Sequence, residues 1–221
     1  QPARIIVNED VRAGSQDGVI HAWLDRATRE GRIESFTHRA CNPNRGMGRG
    51  MLWCFEQSDG DLVLYAQEDF TTVRSIPIRD ALSLCREHSL NHVRFNKRKT
   101  MRAKHADTNH PWAKVEVTIG GQVLCISDHW YTQMSLWRRA VALPNLRVAI
   151  EGTGVSSENF IARFNSLMNQ DAQLTARNWN DQQLRHERLK TYIWGPVGEP
   201  PFIRHLGVTR GTGYIKDHKG A

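Results

Sequence analysis

The chain has 221 residues, of which 39% are hydrophobic and 24% charged, a composition that fits a folded domain and excludes an intrinsically disordered chain. Lys and Arg number 30 against 23 Asp and Glu, and the formal net charge of +7 favours polyanionic partners such as nucleic acid, an anionic membrane face or phosphorylated substrates. The sequence contains neither a signal-peptide pattern nor an apolar run of the roughly 20 residues that span a membrane, and we expect a cytoplasmic protein.

Four cysteines are spread through the chain, at Cys41, Cys54, Cys85 and Cys125. They form no CxxC pair, and no histidine stands at zinc-finger spacing from them. We therefore expect reduced, partly buried thiols.

The first half of the chain alternates strand and helix patterns. Strands are predicted at 4–7, 32–37, 61–66 and 92–95, and helices at 15–30, 46–58 and 78–88. In the first helix, helical spacing places Val19, Ile20, Trp23, Leu24 and Ala27 on one face. This β-α-β-α-β-α-β order predicts an α/β fold with a mostly parallel sheet flanked by helices, and ligands at the carboxyl ends of its strands.

The second half has a different pattern. A hairpin is predicted over 114–127 around Gly120 and Gly121, a helix over 132–142, a strand over 146–151 and a helix over 156–168. The last predicted helix carries an apolar stripe of Phe160, Ile161, Phe164 and Leu167. We expect one domain over residues 1–221, with a first part at 1–95 and a second at 96–221.

Two adjacent carboxylates, Glu68 and Asp69, follow the strand predicted at 61–66. An unpaired buried carboxylate is costly, so the pair either lies in solvent, where one of them caps the next turn, or holds a cation. Mg²⁺ and Mn²⁺ prefer carboxylate oxygens and water, and such a cation bridges the phosphates of a bound nucleotide. Asn8, Glu9 and Asp10 follow the first strand, at the corresponding end.

The stretch NPNRGMGRGMLWCFEQSDGDLVLYAQEDF, residues 42–70, resembles the core of the GT-A glycosyltransferases, especially their family 2-like group. Asn44, Gly46, Gly48 and Gly50 match that group's Asn-x-Gly-x-(Gly/Ala)-x-(Gly/Asn) helix start. In that group a strand that ends in acidic residues follows about a helix length later, and residues 59–69 match it. The resemblance covers residues 4–95 and, more loosely, the rest, and it implies a GT-A-like, Rossmann-like fold whose residues 1–95 bind a nucleotide-sugar and whose residues 96–221 bind the acceptor.

The resemblance also implies a metal site. Asp69 takes the last, metal-binding acid position, whereas Gln67 replaces the first acid and Glu68 lies between, which leaves open which carboxylate binds the metal. Family members tend to have a late histidine that completes the metal shell, and His205 in FIRHLG matches it; the alternative is a surface histidine in a loop. The expected cofactors are Mn²⁺ or Mg²⁺ and a nucleotide-sugar donor, with a UDP-sugar expected first.

The family contacts the nucleotide base and ribose after the first strand, which implies this role for Asn8, Glu9 and Asp10. Arg45 and Arg49 would meet the diphosphate, together with the helix start at Asn44 and Gly46, since the amino end of a helix attracts anions. The alternative for both arginines is solvated helix surface.

Inverting members usually carry an acidic pair whose second acid deprotonates the acceptor hydroxyl. The matching place here is Ser157-Glu158-Asn159, and Asn159 cannot accept the proton. Either Glu158 is the base, or Asp128 is, or the enzyme is retaining. Glu158 is equally interpreted as a first-turn acid that stabilises the helix dipole.

A basic segment at 94–105 and several following aromatic residues, including Trp112, Trp130 and Tyr131, suit a nucleic-acid strand, although aromatic rings also stack on sugars. We expect a metal-dependent glycosyltransferase whose favoured acceptor is a hydroxymethylated pyrimidine in DNA, as in viruses that modify their genomes; it would then work in the host cytoplasm. A glycan or lipid-linked acceptor is the alternative. Two other classes stay open: a metal-dependent nuclease that uses Asp69, Glu68 and histidines, and a non-catalytic DNA-binding protein on a degenerate transferase fold.

Overall fold

A computed structural model describes residues 4–10, 18–41, 46–67, 70–96, 116–127, 130, 133–151, 159–171 and 189–205. In chain order the elements are β1 (Arg4–Asp10), α1 (Val19–Arg29), β2 (Ser35–Cys41), α2 (Met47–Gln57), β3 (Leu62–Tyr65), β4 (Phe70–Thr72), α3 (Ile78–Glu87), β5 (His92–Arg94), β6 (Glu116–Ile119), β7 (Gln122–Ile126), β8 (Ser135–Arg138), α4 (Arg139–Glu151), α5 (Asn159–Asp171), β9 (Thr191–Trp194) and β10 (Ile203–His205). The predicted α/β class is confirmed.

The chain forms two compact units, one comprising Gln1–Asp61 with Arg139–Leu167 and the other Leu62–Arg138 with Met168–Ala221. Each unit therefore combines two separate stretches of sequence. The single domain expected over 1–221 stays a prediction. None of the helices among the described residues has the length and apolarity that crossing a membrane requires.

The first unit is built on a parallel pair of strands. β1 and β2 pair from Arg4 opposite Ser35 to Asp10 opposite Cys41, and α1 provides the crossover that parallel strands need. Leu24, Ala27 and Ile33 are buried, and apolar side chains of both strands pack against them. Helix α2 packs on β1 and on α4.

The buried face of α1 is narrower than its predicted apolar face. Leu24 and Ala27 are buried, but Val19, Ile20 and Trp23 are 52%, 37% and 44% exposed. Among the described residues, the two-stranded sheet packs against Leu24 and Ala27. The predicted apolar face is therefore buried only in part.

The second unit contains a sheet in which the described strands have the order β3-β8-β5-β9-β7-β6, and a separate pair of β10 with β4. β8 lies antiparallel between β3 and β5, β9 is parallel to β5, and β7 is antiparallel to β9 and to β6. The apolar core includes Val93, Phe95, Leu124, Leu136 and Ile203.

Most strands of the larger described sheet run in one direction, although most of its pairs of neighbouring strands are antiparallel. In the larger described sheet β3, β5, β6 and β9 run in one direction, and β7 and β8 in the other. Among the described strands, the parallel neighbours are β1 with β2 and β5 with β9. The antiparallel pairs arise because β7 and β8 each lie between two strands that run in the opposite direction.

Two predictions for the segment 132–151 were wrong. Residues predicted as a helix at 132–142 include strand β8, and residues predicted as a strand at 146–151 belong to α4. Leu136 and Trp137 are buried on a central strand that pairs on both sides. A four-residue segment with two apolar residues, such as Ser135–Arg138, fits either period, and tertiary pairing decides between them.

Candidate functional site

The carboxyl end of β1 carries a tightly held asparagine in the first unit. Oδ1 of Asn8 accepts hydrogen bonds from Nε of Arg39 at 2.9 Å and from Nη2 of Arg39 at 2.6 Å. The thiol of Cys41 donates to the same oxygen at 3.5 Å. These donors fix the orientation of the Asn8 amide.

Arg39 is itself held by an aromatic ring. Its guanidinium carbon lies 4.2 Å from the centroid of the Trp53 ring, within the range of a cation–π interaction. Arg39 therefore connects β2 to both β1, through Asn8, and α2, through Trp53. The sequence analysis did not identify Arg39; its place near the carboxyl end of a strand was the available signal.

The glycine-rich start of α2 allows two close approaches. Gly46 precedes α2 with φ 80°, a conformation that favours glycine. A β-carbon at Gly50 would lie 2.6 Å from Nδ2 of Asn8, and one at Gly48 would lie 3.0 Å from the Phe160 ring on α5. Gly48 and Gly50 thus serve packing within this unit, and exposed Arg49 lies between them.

Glu9 is engaged differently from Asn8. Its carboxylate lies 3.1 Å from Nε2 of His38, and Nδ1 of His38 lies 3.3 Å from Nδ1 of His21 on α1. Successive residues of a strand point to opposite faces, so the neighbours Asn8 and Glu9 serve different faces of the parallel pair. The structure brings Asn8 together with the start of α2 and places Glu9 with the histidines.

In the second unit, the strand pair β4–β10 contains His205, one of the two predicted metal ligands, and its strand β4 begins directly after the other, Asp69, in sequence. His205 pairs with Phe70, the residue that follows Asp69 in sequence. The backbone of His205 is therefore in register with the start of the strand that comes directly after the acidic pair.

A second arginine anchors the segment that enters β10. Arg74 donates through Nε to the carbonyl of Pro201 at 3.2 Å and through Nη2 to the carbonyl of Pro200 at 2.7 Å. It also forms an ion pair with Glu199, and its guanidinium carbon lies 3.4 Å from the centroid of the Phe202 ring. Sequence reasoning missed Arg74, although the Pro200-Pro201 run, which has no backbone N–H to donate, signals a need for side-chain contacts.

Several predicted site residues lie outside the described residues: Asn44, Arg45, Glu68, Asp69, Asp128 and Glu158, with the side chains of Asp10 and His205. Their roles stay predictions. In the part of the chain that the structure describes, no group of three or more His, Cys, Asp or Glu side chains is arranged to hold a metal ion.

Three of the four cysteines are buried, and Cys54 is partly buried. None of the four, all of which belong to the described residues, forms a disulfide. Burial raises the pKa of Cys54 from 9.0 to about 11, although the Asn8 backbone and Arg39 act in the opposite direction. Burial, reinforced by Glu116, raises the pKa of Cys125 to about 11 as well. These two thiols are protonated at neutral pH and unsuited to nucleophilic chemistry.

No protein-family model matches the chain, and no curated protein matches it significantly. Among solved structures, the chain is similar to S. aureus TarS at 11% identity and a TM-score of 0.48, over 91% of this chain and 30% of that one. TarS 1-349 in complex with UDP gives 12% identity and a TM-score of 0.46, over 91% and 50%. TarS 1-349 in complex with UDP-GlcNAc gives 11% and 0.44, over 92% and 58%. The chain thus spans between 30% and 58% of these structures.

Proposed function

We propose that this chain is a metal-dependent glycosyltransferase that moves a sugar from a nucleotide-sugar donor to an acceptor hydroxyl. The observation that carries the proposal is the β4–β10 register, in which His205 pairs with the residue after Asp69. The sequence resemblance selects these two residues as metal ligands, although they lie far apart in the chain. The pairing of His205 with Phe70, which follows Asp69 in sequence, supports that selection.

The chemistry of the donor set fits a divalent cation of the Mg²⁺ or Mn²⁺ type. Asp69, with Glu68 as the neighbouring candidate, offers carboxylate oxygen, and His205 offers an imidazole nitrogen, which Mn²⁺ accepts alongside oxygen. A cation held by these residues would neutralise the diphosphate leaving group of the donor.

We assign the nucleotide to the residues at the carboxyl end of β1. Asn8 is held rigidly by Arg39, which favours a fixed contact to the base or ribose. The carboxylate of Glu9 bonds to His38, so Glu9 reaches a ribose only if that bond is exchanged, and Asp10 is the other acid proposed for this contact. Asn44, Arg45, Gly46 and Arg49 are proposed for the diphosphate.

The acceptor hydroxyl needs a base unless the reaction retains configuration. Glu158 and Asp128 are the two proposed bases, and single Glu158→Gln and Asp128→Asn variants separate them. The base variant loses turnover and keeps donor binding, because a general base contributes about 10²–10⁴-fold to rate through proton transfer. Equal turnover in both variants and the wild type would favour the retaining mechanism.

Thermal shift with UDP, UDP-GlcNAc, GDP and CDP, each with and without Mn²⁺, tests the donor and the metal together. We expect one diphosphate series to raise the melting temperature only when Mn²⁺ is present, since binding to the folded state stabilises it. Asp69→Ala should remove this rise, whereas Asp25→Ala on the exposed side of α1 should keep it. The absence of any metal-dependent shift in the wild type would contradict the proposal.

For the acceptor we propose DNA that carries a hydroxymethylated pyrimidine, supported by the net charge of +7 and the basic segment 94–105. A base in duplex DNA would be flipped out to reach the sugar. The test incubates labelled donor with hydroxymethylated DNA, unmodified DNA, a glycan and a lipid-linked acceptor. Transfer to hydroxymethylated DNA alone is expected, and transfer only to the glycan or the lipid would overturn this acceptor while leaving the transferase intact.

The same reactions separate the remaining classes. Metal-dependent DNA cleavage in the absence of a sugar donor would indicate a nuclease. DNA binding without transfer, cleavage or metal-dependent nucleotide binding would indicate a binding protein on a transferase-like fold.

A further inference from the structure

Three side chains of the first unit form a chain of polar contacts, and its two histidines have no role in the proposed transfer reaction. Glu9 on β1 lies 3.1 Å from Nε2 of His38 on β2, and Nδ1 of His38 lies 3.3 Å from Nδ1 of His21 in the first turn of α1. The side chains of Glu9 and His38 are 16% and 8% exposed, whereas His21 is exposed. The contact thus runs from a buried carboxylate to an imidazole at the surface.

The carboxylate determines how His38 presents its other nitrogen. An ionised carboxylate only accepts hydrogen bonds, so Nε2 of His38 carries the hydrogen that points to Glu9. In the neutral ring, Nδ1 of His38 is then bare and directs its lone pair toward His21. A carboxylate behind a histidine in this way fixes the orientation of the ring as a metal ligand.

The separation of the two Nδ1 atoms matches a pair of metal ligands. Two histidine nitrogens at about 2.0–2.1 Å from a tetrahedral zinc ion are about 3.3–3.4 Å apart. The two Nδ1 atoms lie 3.3 Å apart, and their ring centroids lie 5.5 Å apart. We propose that His21 and His38 bind a divalent transition-metal ion of the zinc type through their Nδ1 atoms, with Glu9 as the carboxylate that orients His38.

The site differs from the one proposed at Asp69 and His205. Its ligands are imidazole nitrogens, which suit Zn²⁺, Cu²⁺ and Ni²⁺ better than Mg²⁺. Among the described residues no third ligand completes it, so water or an added ligand fills the remaining positions. Metal binding would connect the first turn of α1 to β2, and it requires neither sugar donor nor transfer activity.

Calorimetric titration with Zn²⁺ alone, on the full chain, tests the site. The wild type should bind one more equivalent of Zn²⁺ than His21→Ala, and other histidines contribute the same background to both. His21 is exposed, so this variant should fold. His88→Ala, which removes a histidine of the second unit, should keep the wild-type stoichiometry, and Glu9→Gln should keep the equivalent with about 10–100-fold weaker affinity.

A second measurement tests the ligand atoms without any variant. Long-range ¹H–¹⁵N NMR of the histidine rings should show Zn²⁺-dependent shifts of Nδ1 in His21 and His38, and none in His88. Unchanged Nδ1 resonances of both rings, or equal stoichiometry in His21→Ala and the wild type, would overturn the proposal and leave the contact as a hydrogen bond between two histidines.

Discussion

Gly50 and Asn8 approach so closely that a β-carbon on residue 50 would lie 2.6 Å from Nδ2 of Asn8. The Asn8 amide cannot turn away at low cost, because its oxygen accepts two hydrogen bonds from Arg39. The glycine-rich start of α2 and the asparagine at the end of β1 are therefore one packing unit, even though they are separated in sequence by α1 and β2.

Gly50→Ala should destabilise the protein. Replacing a helical glycine by alanine by itself favours folding by roughly 0.5–1 kcal/mol, but the overpacking against Asn8 costs about 1–3 kcal/mol. We expect the free energy of unfolding, measured in urea, to fall by roughly 1–2 kcal/mol. Arg49→Ala, on the exposed face of the same helix, should change it by about 0.5 kcal/mol or less.

A double variant isolates the cause. Asn8→Ala removes the atom that the new methyl group meets, so the penalty of Gly50→Ala should shrink in the Asn8→Ala background. A stabilised Gly50→Ala single variant, or the same penalty in both backgrounds, would contradict the close approach.

Arg74 should matter for the segment that leads into β10. It satisfies the carbonyls of Pro200 and Pro201 and pairs with Glu199, while the amide of Val73 donates to the carbonyl of Phe202 at 2.9 Å. Arg74→Ala should lower the free energy of unfolding by about 1–3 kcal/mol, because it leaves these acceptors without their charged donor. Arg74→Lys should recover little, since a single ammonium group lacks the fork that bonds several oxygens.

Hydrogen exchange locates the effect of the Arg74 variants. In Arg74→Ala, the Val73 amide should exchange faster than the global loss of stability alone predicts, because the strand pair β4–β10 opens locally. Arg79→Ala on α3, also an arginine of this unit, provides the comparison. Faster exchange spread evenly over the unit would argue against a local anchor.

Local sequence patterns predicted the elements whose apolar residues recur with a clear helix or strand period. The alternation of β1, α1, β2 and α2 and the β6–β7 hairpin around Gly120-Gly121 follow from turn residues and spacing that act within a few residues. The predictions for the segment 132–151 failed because β8 is only four residues long and its strand state depends on two partners distant in sequence. Pairing of this kind cannot be read from propensity.

In the candidate site, too, local patterns were predictable from the sequence and contacts with distant elements were not. The contact of Gly50 with Asn8 belongs to a motif that the sequence displays, although its physical role is close packing. The partners of Arg39 and Arg74 and the pairing of His21 with His38 could not be predicted, because each depends on which residue lies opposite in another element. Charged residues look alike in sequence whether they face water or a partner.

The buried thiols should lower the free energy of unfolding at alkaline pH. Cys54 and Cys125 have a pKa of about 11 in the folded state against 9.0 as the ordinary value. Between pH 9 and 11 the unfolded thiols lose protons that the folded ones keep, so the free energy of unfolding falls as pH rises through this range, and the effect is absent below pH 9. Urea midpoints at pH 8 and 10.5 should differ less in a Cys54→Ala, Cys125→Ala double variant than in the wild type.

The same thiols should resist alkylation. At pH 8 iodoacetamide should modify Cys54 and Cys125 slowly in the native protein and readily in urea, because the thiolate is the reactive form and burial suppresses it. Mass spectrometry of peptides assigns each site. Rapid native modification at either residue would show that its thiol is exposed and more acidic than the structure indicates.

His205 and Arg204 are neighbours on β10 and provide the most direct comparison for the proposed cation. His205→Ala should raise the Mn²⁺ concentration needed for half-maximal stabilisation by UDP at least about tenfold, equivalent to about 1.4 kcal/mol, because one ligand of the cation is lost. Arg204→Ala removes an exposed side chain from the same strand and should leave the Mn²⁺ requirement unchanged. Equal Mn²⁺ requirements in the two variants and the wild type would exclude His205 as a ligand, and equal increases in both would indicate that they act by disturbing β10 rather than by losing a metal bond.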